Sequence, residues 1–184
     1  MGSQAVGDTA TCQLPDGRLI SLRRVVSADA ESVVALHQQL SDHDRYFRFF
    51  TLRPAHLDEL VNKLIAPGEG RYALGAFDGD RLIGVADYTV CADPTVADIA
   101  IVVAHEDHSL GVGTALLRRL AQIARAHGIR RFVADVLAQN YLMLAVLADF
   151  GWPRERTKCG SVLHLDIALP DRSDVSSPAG QQIS

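Results

Sequence analysis

His108-Ser109-Leu110-Gly111-Val112-Gly113-Thr114 lies between the apolar run Ile99-Ala100-Ile101-Val102-Val103 and a segment, Ala115 to His127, whose apolar residues recur at helical spacing. A strand, a glycine turn and a helix start follow from that order. Glycines at 111 and 113 let the main chain enter regions closed to residues with a Cβ and let a ligand approach the backbone. The first amides of the helix have no partner within it and coincide with the positive end of its dipole, so an anion is the expected occupant. The run lacks the Gly-Lys-Ser/Thr ending of a P-loop. It also lacks the third glycine of a dinucleotide fingerprint, that position being Leu116, and it comes late in the chain rather than opening a βαβ unit. A bare tight turn would fit the run as well, so the surroundings decide.

Outward from the turn, the pattern reads as alternating strands and helices. Residues 18 to 26 alternate as a first strand, Ser27 can cap the helix that follows, and Val33, Val34, Leu36 and Leu40 form its apolar stripe. Ser41 or Asp42 can cap a short helix carrying Tyr46, Phe47, Phe49 and Phe50, whose aromatic residues read as core anchors. Pro54 suits the start of a helix containing Leu57, Leu60, Val61 and Leu64. Strands 72 to 77 and 82 to 90 flank Asp78-Gly79-Asp80, a hairpin signal. Strand 96 to 103 leads into the glycine turn; strand 131 to 137, helix 140 to 149 and strand 161 to 169 complete the order. Residues 1 to 16 read as a loose leader, 17 to 169 as a single domain, and 170 to 184 as a flexible tail. The fold class expected is α/β (α+β), with a mixed, mostly antiparallel central sheet flanked by helices.

Composition excludes several function classes. A chain of 184 residues, 48% hydrophobic and 22% charged, suits one domain with a substantial core, and a net charge of −4 offers no basic field for nucleic acid. Cys12, Cys91 and Cys159 are far apart, odd in number and outside any C-x-x-C, which favours a reducing cytoplasm over a disulfide framework or a zinc site. No stretch reads as a signal peptide or a membrane span. His105-Glu106-Asp107-His108 has an H-x-x-H spacing without an identifiable third ligand, so no metal is expected. Ser109 lacks a G-x-S-x-G elbow, which argues against a hydrolase.

Segment 95 to 152, read as strand, loop, long helix, strand and short helix, resembles the coenzyme A-binding half of the GNAT superfamily of acyl-CoA-dependent N-acyltransferases. That family's loop is written Q/R-x-x-G-x-G/A, and here it stands as His108-Ser109-Leu110-Gly111-Val112-Gly113, with His108 in place of Gln or Arg. Asp135-Val136-Leu137-Ala138-Gln139-Asn140, followed by Met143, Leu144, Phe150, Gly151 and Trp152, resembles its second acyl-CoA motif. Arg18-Leu19-Ile20-Ser21-Leu22-Arg23 and Leu40-Ser41-Asp42-His43-Asp44-Arg45-Tyr46-Phe47-Arg48-Phe49-Phe50 resemble the opening of bacterial Pat-type protein lysine acetyltransferases. Some of those proteins carry a cyclic-nucleotide-binding or synthetase-like domain for which this chain has no length, so a stand-alone acetyltransferase domain is expected.

The resemblance implies that the strand before the glycine turn and the strand after its helix splay apart. The pantetheine arm of acetyl-CoA, the co-substrate, would lie there on the backbone of Ile101 and Val103. His108, Ser109, Leu110, Gly111, Val112, Gly113 and Thr114 would hold the pyrophosphate, with Asn140 and Met143 beside the arm. Asn140 can equally be the N-cap of its own helix, and both roles can hold together. Transfer of an acyl group to an amine needs a proton acceptor, because a lysine ammonium with a pKa near 10.4 cannot attack. Asp98 in Ala97-Asp98-Ile99-Ala100 stands where the resembling acetyltransferases carry glutamate in Ala-Glu-x-Ala. A setting among apolar neighbours would raise its pKa, and its shorter side chain suggests a relay water; a solvated edge charge or salt-bridge partner is the alternative. Many family members place a tyrosine acid where Leu147 falls here, so the acid is unassigned. The expected activity is acetyl transfer to a protein lysine, with acyl-CoA synthetases as the targets the resemblance suggests. A small-amine or antibiotic N-acetyltransferase and a noncatalytic acyl-CoA-binding regulatory domain are the alternatives.

Overall fold

The Asp78-Gly79-Asp80 turn joins two strands, β3 (Arg71–Asp78) and β4 (Arg81–Val90), at the centre of an eight-stranded sheet. The computed structural model describes residues 9–42, 57–66, 68–108, 111–149 and 154–169. The other strands are β1 (Thr9–Gln13), β2 (Leu19–Arg24), β5 (Val96–Val103), β6 (Arg131–Leu137), β7 (Arg154–Cys159) and β8 (Val162–Ala168). The described helices are α1 (Ala30–Gln38), α2 (Leu57–Ile65), α3 (Val112–Ala126) and α4 (Tyr141–Asp149). Strand order is β1-β2-β3-β4-β5-β6-β8-β7. All neighbours are antiparallel except β5 and β6. The mixed, mostly antiparallel sheet is the expected fold class.

Period-two alternation divides the core between the two faces of the sheet. On one face Leu74, Ala86, Tyr88, Ile99, Phe132 and Ala134 meet Leu116, Leu117 and Leu120 of α3, and on the other Ala73, Phe77, Val85 and Val102 meet Val33, Leu36, Val61 and Leu64 of α1 and α2. Three leucines of α3 are at most 1% exposed. At about 1.5–3 kcal/mol for each fully buried leucine, they anchor the helix whose start forms the glycine turn. A register shift between Ala76 and Phe77 gives β4 one extra residue, so Leu82 and Val85 share a face despite their odd spacing. At its far end α3 stops at Gly128, φ +87°, where Gly128 N–H donates to Arg125 O (2.9 Å) and Ile129 N–H to Ala124 O (3.0 Å), a Schellman closure.

The parallel pair sets the site. Registered partners are Val96 with Arg131, Ala97 with Phe132 and Asp98 with Val133, although β5 continues to Val103 and β6 to Leu137. Beyond Asp98 the two strands part, as the sequence resemblance implied, and β8 follows β6 along its whole length instead.

Three details differ from the sequence reading. Residues 9–13, assigned to a loose leader, form β1 and pair with β2 from Thr9–Arg23 to Gln13–Leu19. Their Ala10 and Cys12 pack against the α3-side core, an apolar alternation too short to stand out. Strand β7 was not expected; Arg154, Glu155, Arg156 and Lys158 make its sequence polar, and it forms because β8 offers an edge. Ser27 does not cap α1. It opens a 3-10 turn, Ser27–Asp29, and the Asp29 carboxylate accepts the Val26 N–H (2.9 Å) and N–H groups of Nη1 and Nη2 of Arg23 (2.8 Å each). The short helix expected over Tyr46 to Phe50, and Pro54, lie outside the described residues, as does the tail from 170.

Candidate active site

Where β5 and β6 part, a cavity of about 1020 Å³ opens against the start of α3. Asp98 to Val103 of β5, Ala134 to Val136 of β6, Gly113 and Thr114 of α3, and Asn140, Met143 and Val146 line it. The cavity thus gathers every described candidate residue except Val112. That side chain is 1% exposed in the core, so it can offer only its backbone. Ser109 and Leu110 lie outside the described residues.

Gly111 caps α3 at φ +86°, in the left-handed region, and a Cβ on it would stand 3.1 Å from Cδ of Pro15. The first intrahelical bond runs from Ala115 N–H to Gly111 O (2.9 Å), so the amides of Val112, Gly113 and Thr114 precede it. Gly111 supplies no side-chain cap, and the first turn holds no acidic residue. Gly113 serves by its smallness: a Cβ there would meet Cγ2 of Val146 at 3.3 Å, so α4 packs directly on the helix start. Three amides at the positive end of a 15-residue helix make a backbone cradle for an anion.

The side chains around that cradle are themselves held. Nε2 of His108 donates to Val103 O (2.9 Å), since a carbonyl can only accept, and this fixes the ring's tautomer when it is neutral. His108 therefore braces the strand rather than pointing a charge at the anion. The Val103 carbonyl keeps a second lone pair for a ligand. Asn140 Oδ1 accepts the Met143 N–H (3.1 Å), the N-cap role, leaving its amide nitrogen as the donor available to a bound arm.

Asp98 is exposed on β5 and faces the cavity on the side of Ala100 and Val102. Its apolar neighbours on that side are Ala100, half-buried, and Val102, buried. Period two places Asp135 of β6 on the same face of the sheet, and it too lines the cavity. Asp135 pairs across β6 and β8 with Nδ1 of His164. Leu147, at the position where a tyrosine acid was sought, is 2% exposed, and Tyr141 is 74% exposed on the first turn of α4. Among the described residues no group of side chains could hold a metal ion, and no helix is long and apolar enough to cross a membrane.

Several residues at the site escaped the sequence reading. Ala10 to Pro15 of the first hairpin line the cavity, as do Arg118, Arg119 and Gln122 on α3. Asp107, read only as one of two carboxylates inside an H-x-x-H spacing, is 2% exposed and receives Nη1 of Arg18 and Nη2 of Arg81, both at 3.0 Å. Its signal in the sequence was a carboxylate immediately before a phosphate loop, with arginines at two distant turns and nothing to connect them.

A splayed parallel pair beside a glycine-capped helix, with an open strand edge leading to a carboxylate, defines an acyl-CoA-dependent N-acyltransferase. Residues 35–152 match the family model described as Acetyltransferase (GNAT) family, and the chain belongs to that family. It is similar over 155 residues, at 28% identity, to Acetyltransferase PA5475 of Pseudomonas aeruginosa, covering 82% of this chain and 83% of that one. The crystal structure of the GNAT domain of S. lividans PAT superposes with a TM-score of 0.81 at 30% identity, over 91% of this chain and 100% of that domain. A spermidine N-acetyltransferase from Vibrio cholerae, solved with CoA and spermine, superposes at a TM-score of 0.64 and 18% identity, over 82% and 95% of the two chains, a likeness of fold.

Proposed function

We propose that this acetyltransferase moves the acetyl group of acetyl-CoA to the side-chain amine of a protein lysine. The observation that carries the reading is the continuous cavity from the first turn of α3, along the open edge of β5, to Asp98. The amides of Val112, Gly113 and Thr114 hold the pyrophosphate. Backbone groups of Ile101 and Val103, with Asn140, hold the pantetheine arm, and the thioester reaches the parting of the strands. Asp98 takes the ammonium proton through a water, the free amine attacks the thioester carbonyl, and the carbon–sulfur bond breaks. The coenzyme A thiolate leaves, and the second nitrogen proton, released as the amide forms, passes through water to it. Asp98, at the cavity wall, contributes by placing that water and attracting the cationic acceptor.

The protein acceptor rests on the Pat-type sequence resemblance and on the likeness to the S. lividans domain. A small cationic amine is the second reading, favoured by Asp98 and Asp135 lining one cavity and by the spermidine N-acetyltransferase fold likeness. Release of free coenzyme A, with an acyl-CoA synthetase and a panel of polyamines offered in parallel, separates them. Acetylation of the synthetase, lost in Asp98→Asn while coenzyme A still binds, supports the lysine reading. Turnover on polyamines alone transfers the assignment to the small amine, and coenzyme A binding without turnover rejects both.

A further inference from the structure

Three turns meet at one end of the sheet, and a single buried carboxylate joins them. Arg18 sits in the turn between β1 and β2. Its guanidinium reaches Asp16 of the same turn (Nε, 2.8 Å), Asp78 at the end of β3 (Nη1, 3.0 Å) and Asp107 in the loop before α3 (Nη1, 3.0 Å). Arg81, the first residue of β4, reaches Glu106 (2.5 Å) and the other oxygen of Asp107 (3.0 Å). Two guanidinium groups thus face four carboxylates. That excess of negative charge would repel a pyrophosphate, so the cluster is not an anion site; its value is geometric. The Asp107 side chain is 2% exposed, and a buried carboxylate with both oxygens engaged by arginines from two different turns has one orientation.

The same hairpin turn touches the loop a second time. Pro15 abuts Gly111 on the rising limb, where a Cβ would stand 3.1 Å from its ring, while Asp107 fixes the descending limb, helped by its N–H bond to Ala104 O (2.9 Å). We infer that Arg18 and Asp107 are positioning residues: through them the β1–β2 turn clasps the phosphate loop and aims the first amides of α3. The inference rests on the loop reading proposed above. An amide in place of the Asp107 carboxylate keeps one acceptor oxygen and turns an NH2 toward a guanidinium, so one of the two arginine ties is lost and the limb loses its single orientation.

The test compares two donors, acetyl-CoA and S-acetylpantetheine, which carries the thioester and the arm without the pyrophosphate. For Asp107→Asn, kcat/KM with acetyl-CoA falls at least about tenfold, through KM, while kcat/KM with S-acetylpantetheine changes less than about twofold. A loss shared equally by both donors, or no loss with either, overturns the positioning role. Arg18→Gln, altering a side chain 31% exposed, gives the same comparison should Asp107→Asn fail to fold. Equal kcat/KM for the two donors in the unaltered protein would instead remove the phosphate-loop reading itself.

Discussion

Replacing Gly111 with alanine, beside the same replacement at Gly128, isolates what the glycine turn contributes to coenzyme binding. Both residues are left-handed, φ +86° and +87°, and a Cβ at Gly128 meets nothing within 4 Å, whereas one at Gly111 meets Pro15 at 3.1 Å. The left-handed backbone costs an alanine about 1–2 kcal/mol. Reduced freedom of the unfolded chain offsets ~0.4–1 kcal/mol of that, so each variant loses on the order of 1 kcal/mol in urea unfolding. Only Gly111→Ala also has to move the loop or Pro15 by a few tenths of an ångström. A hydrogen bond to a charged group is worth about 1.5–3 kcal/mol, so losing one of the three amide contacts weakens coenzyme A roughly 10- to 100-fold. Isothermal titration with coenzyme A measures this directly. Equal coenzyme affinity in the two variants, with equal loss of stability, would refute the argument that this turn is shaped around a ligand.

Packing on the cradle and the pH dependence of the fold give further checks. Gly113→Ala brings a Cβ to 3.3 Å from Val146, so it weakens coenzyme A binding by forcing α4 away, and Val146→Ala in the same chain recovers much of the loss by titration. Arg23, hydrogen-bonded to Asp29, holds that carboxyl below its ordinary 3.8, so its contribution is present above that value and is lost as pH falls toward the lowered one. Burial pushes Tyr88 up to about 12, so its contribution is present below its ordinary 10 and is lost as pH rises through 12. Urea unfolding across pH should therefore show a shallower acid limb in Asp29→Asn and a shallower alkaline limb in Tyr88→Phe.

The sequence displayed the parts of the fold that depend on local pattern. Alternation gave β3, β4, β5 and β6, and apolar spacing with glycine punctuation gave α3, although its start moved from Ala115 to Val112 once Gly111 was seen to cap it. The site's backbone elements were legible through their surroundings: the glycine turn alone fits a bare tight turn as well, and the strand before it and the helix after it gave it a context. What stayed hidden depends on partners far away in the chain. β1 is five residues whose identity as a strand comes from β2, and β7 is a polar ribbon held by β8. Asp107 joins Arg18, 89 residues away, and Arg81, 26 away, pairings that no local spacing announces. The exposure of Asp98 belongs to the same class, since alternation assigned its face of the strand correctly but could not say what covers that face.

A division of labour follows from these geometries. The groups suited to recognise the coenzyme are main-chain amides of α3 and the open edge of β5, present in any sequence that can make a left-handed cap and a short strand pairing. Side chains at this site act mainly on one another: His108 braces Val103 O, Asn140 caps Met143, and Asp107 ties two arginines. On the proposed reading such a site accommodates His108 in place of Gln or Arg, because backbone amides rather than a side-chain charge hold the anion. It tolerates far less any change that moves the backbone, whether at Gly111, at Gly113 or at the buried carboxylate behind them. On the proposed function the acceptor side is built differently, from two carboxylates, Asp98 and Asp135, that β5 and β6 carry on one face of the sheet. Coenzyme binding should therefore respond to substitutions that shift backbone, and acceptor choice to substitutions that alter only side-chain charge at Asp98 and Asp135.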